Sequence, residues 1–212
     1  MPQFYKSLQG EYVTRREIEK SVFITTSRHV VGEEEARKFI SGISKKYSDA
    51  THNCYAYIAD NLGNFPRFSD DGEPQGTAGM PMLEVLKNNG LFEVCVVVTR
   101  YFGGIKLGAG GLVRAYSGAV AENISAAIKV IYEACAESLY ITDYSNVDAA
   151  LRFFADHGAE VISAEYLNDV RFVAAVRKTE EQSFNGSLIN ALNGRVSIDR
   201  LREYFFPFKQ NN

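Results

Sequence analysis

The chain has 212 residues, of which 46% are hydrophobic and 23% charged, and a net charge of −3. This composition is typical of a globular protein and excludes a surface coated with positive charge, so any contact with nucleic acid must use a local basic patch. We expect neither a membrane span nor a signal peptide, because no apolar run approaches ~20 residues and the start of the chain is polar. Three widely spaced cysteines in apolar segments, Cys54, Cys95 and Cys135, predict reduced, buried thiols in a cytoplasmic protein.

The first 136 residues predict an α+β domain with alternating helices and strands. Apolar residues at helical spacing predict three helices that begin near residues 32, 80 and 110. Period-two alternation or continuous apolar runs predict strands within 17–31, 53–59, 65–69, 94–99 and 129–135.

Residues 137–212 predict a second α+β domain with the element order β-α-β-β-α-β, the split βαβ arrangement of a ferredoxin-like domain. Ser145 is the expected N-cap of its first helix. Thr179, followed three residues later by Gln182, predicts a capping box at its second helix. Because no Pro-rich linker separates the two domains, we place a tight boundary between 1–136 and 137–212.

The loop after the strand at 94–99 is dense in glycine and bracketed by positive charge. A glycine loop that leads into a helix can present backbone N–H groups to an anion. The spacing matches neither the G-x-G-x-x-G dinucleotide fingerprint nor the G-x-x-x-x-G-K-[ST] P-loop. An anion site and a purely structural turn therefore both remain open. The residues concerned are Arg100, Gly103, Gly104, Lys106, Gly108, Gly110, Gly111 and Arg114.

The segment DDGEP, residues 70–74, places the carboxylates of Asp70, Asp71 and Glu73 close together. Such a cluster can hold a divalent cation or supply a general acid or base, although it lacks the pattern of a calcium loop. A solvated turn is the alternative, because Asp, Gly and Pro all form turns. Thr77, just before the next helix, is either a helix-capping residue or a hydroxyl for a ligand.

Three further side chains are candidate functional residues. His52 and Cys54 share one face of a predicted strand, but the sequence shows no orienting partner, and we expect Cys54 to be buried rather than nucleophilic. Arg67, flanked by Phe65 and Phe68, is either a contact for a nucleobase or phosphate or an exposed arginine on an edge strand.

The segments HNCYAY, FSDDGEPQGTAGMPML and VVVTRYFGGIKLGAGGLVRAYSGA resemble those of the YigZ/IMPACT family, the UPF0029 group. The resemblance covers nearly the whole chain. It implies a ribosomal protein S5 domain 2-like fold for the first domain and, for the second, a ferredoxin-like domain similar to the last domain of elongation factor G. The eukaryotic members imply translation regulation, and the similarity to an elongation factor implies contact with RNA or the ribosome.

We therefore expect a non-enzymatic protein that contacts RNA, the ribosome or a translation factor and needs no cofactor. The loop glycines with Arg100, Lys106 and Arg114 would bind phosphate. Additional polar or stacking contacts are expected from His52, Arg67, Tyr101 and Tyr116.

Two alternatives follow from the same motifs. The S5-like fold is shared with GHMP kinases, in which a glycine-rich loop covers ATP phosphates, so that DDGEP would bind Mg²⁺ for phosphoryl transfer. The glycine segment here lacks the serines that usually follow in that family. The other alternative is a protein-interaction module in which both motifs are structural turns.

Overall fold

The computed structural model describes residues 3–208, which form two compact units. The first unit comprises Phe4–Val130, and the second begins at Ile131, so the division falls inside the strand Lys129–Thr142. The predicted domain boundary between residues 136 and 137 lies in the same strand and stays a prediction.

The N-terminal unit is built on an antiparallel sheet. In chain order its elements are β1 (Phe4–Leu8), β2 (Glu11–Ile18), β3 (Ser21–His29), α1 (Gly32–Lys46), β4 (His52–Ile58), β5 (Pro66–Ser69), α2 (Gly79–Asn88), β6 (Val94–Tyr101) and α3 (Gly108–Ala126). The strand order in the sheet is β2-β3-β6-β4-β5, and every neighbouring pair is antiparallel.

Helices cover both faces of this sheet, and the central strand β6 shows why its sequence is continuously apolar. Val94, Val96 and Val98 pack in one core with α2 and α3, whereas Cys95 and Val97 pack in a second core with α1. Successive side chains of a strand point to opposite faces, so a strand between two helical layers needs apolar residues at every position. The two faces are called the α3 face and the α1 face below.

Strands β1 and β2 were not predicted from the sequence. Strand β2 lies at the sheet edge and joins β3 through a two-residue hairpin turn formed by Glu19 and Lys20. Both residues have positive φ, 46° and 64°, as a type I′ turn requires. The turn has neither Asn nor Gly, the residues that usually mark this geometry, so the hairpin gave no recognisable signal.

The C-terminal unit has the predicted element order β-α-β-β-α-β. Its elements are β7 (Lys129–Thr142), a 3₁₀ turn (Tyr144–Asn146), α4 (Val147–Asp156), β8 (Glu160–Tyr166), β9 (Val170–Arg177), α5 (Glu181–Ala191) and β10 (Val196–Phe206). Within the unit the strands lie in the order β10-β7-β9-β8, all antiparallel. The aromatic side chains of Tyr140, Phe154, Phe172 and Phe184 fill the core between sheet and helices.

Both predicted helix caps in this unit are wrong. Ser145 lies in the 3₁₀ turn that precedes α4, and α5 begins at Glu181, two residues after Thr179. In the described chain, the residues that do stand at the two N-cap positions, Asn146 and Glu180, make no side-chain cap hydrogen bond. The extra 3₁₀ turn moves the start of α4 beyond the position that the Ser145 signal indicated.

The predicted burial of the cysteines is confirmed. Cys54, Cys95 and Cys135 are all buried and form no disulfide. None of the helices found between residues 3 and 208 is long and apolar enough to cross a membrane.

Candidate functional site

A buried ion pair joins the DDGEP segment to strand β6. The guanidinium of Arg100 donates from Nη1 to Oε1 of Glu73 at 2.6 Å, and the two side chains are only 5% and 3% exposed. Arg100 also donates from Nη2 to Oγ of Ser21 at 3.2 Å, and its Cζ lies 5.5 Å from the ring centres of both Phe23 and Phe102. A charge buried this deeply needs an opposite charge and hydrogen bonds to offset its lost hydration. Arg100 is thus held inside the protein, away from the phosphate-binding role expected of it.

Tyr116 and Cys54 extend this buried cluster from α3 and β4. The hydroxyl of Tyr116 donates to Oε1 of Glu73 at 2.7 Å, and the Cys54 thiol lies 3.4 Å from that hydroxyl and 3.0 Å from the backbone oxygen of Asp70. Burial raises the pKa of Cys54 to about 12. Burial first, and then Cys54 and Glu73, raise the pKa of Tyr116 above its usual value. Both groups are protonated at neutral pH, so Cys54 is not a nucleophile, and the fully buried Tyr116 cannot stack on a base.

His52 of strand β4 forms a hydrogen bond with the DDGEP segment. Its Nδ1 lies 2.7 Å from the backbone oxygen of Asp71, and because a carbonyl oxygen only accepts, Nδ1 carries the proton. Its Nε2 is 3.8 Å from Oε1 of Glu73, which is too long for a hydrogen bond. The side chain of His52 therefore contacts this turn rather than the glycine loop.

The DDGEP segment forms a tight turn. The N–H of Glu73 donates to the carbonyl of Asp70 at 2.9 Å, and the two residues between them, Asp71 and Gly72, have positive φ of 43° and 85°. These are the features of a type I′ turn. The Oδ2 atom of Asp71 accepts a hydrogen bond from the Asn53 N–H at 2.6 Å, which ties the turn to β4.

Asp70 holds the start of helix α2 with both carboxylate oxygens. Its Oδ1 accepts from the N–H groups of Ala78 and Gly79 at 3.0 and 2.8 Å, and its Oδ2 accepts from that of Gly76 at 2.8 Å. These donors belong to the first turn of α2 and the residues before it, where N–H groups lack partners within the helix. The cap of α2 thus comes from a residue nine positions upstream of the helix and not from Thr77, the capping candidate in the sequence.

The carboxylates of Asp70, Asp71 and Glu73 each have a protein partner. Thr77 is similarly engaged, since its hydroxyl donates to the carbonyl of Pro74 at 2.6 Å. In the part of the chain that the structure describes, no group of three or more His, Cys, Asp or Glu side chains could hold a metal ion. Because these carboxylates serve the buried ion pair, the link to β4 and the cap of α2, they give the phosphoryl-transfer alternative no support.

The glycine loop packs against the β2–β3 hairpin. A Cβ atom on Gly103 would lie 2.0 Å from the backbone carbon of Lys20, and the Gly103 N–H donates to Oγ of Ser21 at 3.2 Å. Gly104 and Gly108 have φ of 85° and 70°, which side chains rarely tolerate. The structural-turn interpretation therefore accounts for these three glycines.

An open cleft of about 520 Å³, called the α3 cleft below, lies where this loop enters α3. Its cationic side chains are Arg16 of β2, Lys106 of the loop and Arg114 of α3, opposed by Glu19 of the hairpin. The first turn of α3 carries no acidic residue, and its cap residue Leu107 offers no side-chain hydrogen bond. The N–H groups of such a turn carry partial positive charge. The α3 cleft therefore combines three cations with a helix N-terminus that no described side chain caps.

The structure brings only part of the predicted site together. Lys106, Gly111 and Arg114 line the α3 cleft, and Gly110 lies beside them in the first turn of α3. Tyr101, which neighbours Arg100 in β6, points to the opposite face of the sheet, where its hydroxyl donates to Asp49 at 2.8 Å.

Arg67 is separated from the α3 cleft by the sheet itself. It is opposite Tyr57 in the β4–β5 register, and Tyr57 packs in the core of the α1 face. Arg67 therefore lies on the α1 face, where it cannot share a ligand's phosphate with Lys106 and Arg114.

Arg16 is a site residue that sequence reasoning missed. Its Nη1 lies 3.6 Å from Oε2 of Glu122 on α3, so the side chain crosses the edge of the cleft. The signal was present in the alternation of β2, in which Tyr12, Arg16 and Ile18 share one face and the two apolar residues pack against the core.

Comparison with known proteins identifies the family to which this chain belongs. The model of the Impact N-terminal domain matches residues 19–124, and that of a domain of unknown function, DUF1949, matches residues 141–195. IMPACT family member YvyE of Bacillus subtilis (strain 168) is 40% identical over 182 residues, which cover 85% of this chain and 83% of that protein. IMPACT family member YigZ of Escherichia coli (strain K12) is 33% identical over 189 residues, covering 88% and 93%.

A solved structure described as that of a hypothetical protein superimposes with a TM-score of 0.63 at 29% identity, covering 95% of this chain and 99% of that one. The matches to both bacterial relatives extend over most of each protein, in agreement with the motifs in the sequence. The chain belongs to the IMPACT family.

Proposed function

We propose that this protein binds the phosphate groups of RNA through the α3 cleft and acts, without catalysing a reaction, in the cytoplasm as a component of translation. The observation that carries the proposal is the uncapped N-terminus of α3 beside Lys106 and Arg114. Backbone N–H groups at a helix N-terminus and cationic side chains are the groups that bind phosphate oxygens. Because the net charge of the whole chain is −3, binding would depend on this local cluster.

The buried cluster gives this cleft a fixed shape. Oγ of Ser21 accepts hydrogen bonds both from the buried guanidinium of Arg100 and from the N–H of Gly103 at the start of the loop. The close approach of Gly103 to Lys20 holds the same loop against the hairpin that carries Arg16. A cleft whose groups are already positioned loses less conformational entropy on binding.

The role in translation rests on the family resemblance. That resemblance implies an S5 domain 2-like fold for the N-terminal unit and similarity of the C-terminal unit to the last domain of elongation factor G. The observed strand order β10-β7-β9-β8 supports a ferredoxin-like assignment of the C-terminal unit. Fold similarity of this kind is an analogy, and so the site must be tested directly.

The test compares two double variants, each of which removes two positive charges from a different part of the surface. We expect Lys106→Gln with Arg114→Gln to weaken binding to a labelled single-stranded RNA by about tenfold or more, since each charge-assisted contact to phosphate contributes to affinity. The control is Lys38→Gln with Lys87→Gln, on the exposed surfaces of α1 and α2. Equal affinities of the two double variants would refute the proposed role of the cleft.

The protein-interaction alternative has one observation in its favour. Phe102 and Ile105 of the loop are apolar and 44% and 38% exposed, as in a surface that a protein partner covers. Co-sedimentation with ribosomes before and after ribonuclease digestion distinguishes the two cases. Association that survives the digestion would favour a protein partner, whereas its loss would favour RNA.

A further inference from the structure

A second cleft lies on the α1 face of the N-terminal sheet. It has a volume of about 390 Å³ and is lined by Arg37 and Ile40 of α1, Tyr55 and Tyr57 of β4 and Arg67 of β5. We call it the α1 cleft. Its volume is within the range of small-molecule sites. Because β5 is the edge strand of the sheet, the cleft lies at an edge of the unit.

One wall of the α1 cleft is an aromatic platform. The rings of Tyr55 and Tyr57 are stacked, with centroids 6.1 Å apart and planes inclined by 13°. Tyr57 is buried at 3% exposure, whereas Tyr55 is only partly buried. Tyr55 is therefore the more exposed of the two rings, and it lines the cleft in which a flat ring could stack on it. Aromatic side chains arranged in this way are the usual stacking partners of unpaired nucleobases.

The positive charge of the α1 cleft is only weakly neutralised. The side chains of Arg37 and Arg67 are 73% and 54% exposed. Both contact the same carboxylate, that of Glu33, with Nη2 of Arg37 and Nε of Arg67 each 3.5 Å from one of its oxygens. These distances are at the long limit for hydrogen bonds, and each guanidinium has five N–H donors. Nη1 of Arg67 also donates to the carbonyl of Pro66 at 2.9 Å, and Arg37 forms a hydrogen bond with the Tyr57 side chain. With five donors on each guanidinium, both arginines still have N–H groups for an anion.

We propose that the α1 cleft binds one nucleotide unit, with its base stacked on Tyr55 and its phosphate held by Arg37 and Arg67. A platform and a pair of cations side by side match the two parts of a nucleotide, whereas an acidic peptide would leave Tyr55 without a flat partner. The unit can belong to single-stranded RNA or be a free nucleotide, since both present the same groups. The α1 cleft is on the opposite face of the sheet from the α3 cleft, so this inference does not rest on the function proposed above.

The direct measurement is calorimetric titration of the full chain with AMP, UMP, ribose 5-phosphate and a short single-stranded oligouridylate. We expect Tyr55→Leu to weaken nucleotide binding by about fivefold or more, because the loss of base stacking costs about 1–3 kcal/mol. Arg67→Gln should weaken it as well. Glu33→Gln should strengthen it, because the carboxylate that competes for both arginines is removed. Ribose 5-phosphate, which has no base, should bind more weakly than either mononucleotide.

Two controls separate these effects from others. Lys38→Gln removes an exposed charge from α1 outside the cleft and should leave the titration unchanged. Because the α3 cleft is itself proposed to bind phosphate, the titrations are repeated in the Lys106→Gln, Arg114→Gln background, where nucleotide binding that Tyr55→Leu and Arg67→Gln weaken should persist, so failure of one site does not imply failure of the other. Thermal unfolding checks each variant; if Tyr55→Leu does not fold, Arg67→Gln at the exposed edge strand still tests the cleft.

Each outcome decides the proposal. Binding of AMP or UMP with the expected responses supports a free nucleotide as the ligand. Binding of the oligouridylate alone supports single-stranded RNA in this cleft if Tyr55→Leu and Arg67→Gln weaken it. The proposal is overturned if neither binds. It is also overturned if binding is indifferent to Arg67→Gln and Glu33→Gln.

Discussion

At the residue scale, Glu73 is the acceptor on which the buried cluster depends. Its Oε1 accepts hydrogen bonds from both Arg100 and Tyr116, which come from a strand and a helix distant in sequence. An acidic residue in a segment of turn-forming residues looks like a solvated carboxylate, and only the tertiary packing removes it from water. Its structural importance follows from the charge it neutralises rather than from the turn in which it stands.

Replacing Glu73 by Gln leaves the buried guanidinium of Arg100 without a counter-ion. We expect Glu73→Gln to lower the free energy of unfolding by about 3–5 kcal/mol, the cost typical of breaking a buried pair from one side. Urea denaturation of the purified chain measures the change. Adding Arg100→Met to Glu73→Gln should recover part of the loss, because no uncompensated charge then remains buried.

The matched comparison for this prediction is Glu34→Gln, which breaks an exposed ion pair with Lys38 on α1. Exposed pairs of this kind contribute little to stability. If Glu73→Gln were no more destabilising than Glu34→Gln, the buried pair would not support the fold.

At the element scale, helix α2 depends on a cap from outside its own sequence. Asp70 accepts three backbone hydrogen bonds at the start of this helix, and no residue adjacent to α2 replaces it among those described. Asp70→Ala should destabilise the protein by about 2 kcal/mol, at the upper end for loss of a cap, since three donors lose a charged acceptor. The urea midpoint reports the loss, with the exposed first-turn residue Asp148 of α4 as the control when replaced by Ala. Equal midpoints for the two variants would contradict the assignment of Asp70 as the cap.

Elements with a local signal were predicted from the sequence, and those without one were not. The continuous apolar run of β6 and the β-α-β-β-α-β order of the C-terminal unit were recognisable because side-chain periodicity reflects burial. The hairpin at Glu19 and Lys20 was missed because its positive φ angles occur in residues that rarely adopt them. The cap provided by Asp70 was missed because it is contributed across a turn rather than at the N-cap position.

The same limit applies to the candidate site. Lys106 and Arg114 could be predicted, since they flank a glycine loop that leads into a helix. The sequence could not indicate that Arg100 and Tyr116 are buried beneath that loop, because burial of an arginine depends on a carboxylate from another segment. It also could not show that Arg67 lies on the other face of the sheet from the loop. The face on which a side chain of an edge strand lies is set by the pairing register.

At the scale of the whole molecule, a net charge of −3 means that any affinity for RNA must come from short-range contacts rather than from general attraction. The α3 cleft offers Arg16, Lys106 and Arg114, although Arg16 is partly neutralised by Glu122 at 3.6 Å. A small number of phosphate contacts predicts a shallow dependence of affinity on salt, in contrast with proteins that bind through an extended basic surface.

The salt dependence of RNA binding therefore measures how many cationic side chains contact phosphate groups. For a single strand, the slope of log affinity against log salt concentration is about −0.7 per neutralised phosphate, so three contacts predict a slope of about −2. Arg114→Gln should reduce the magnitude of that slope by about 0.7, because one contact is lost, whereas Lys87→Gln on α2 should leave it unchanged. Fluorescence anisotropy of a labelled single-stranded RNA at several salt concentrations measures both slopes. A steep slope that Arg114→Gln does not alter would place the phosphate contacts outside the α3 cleft.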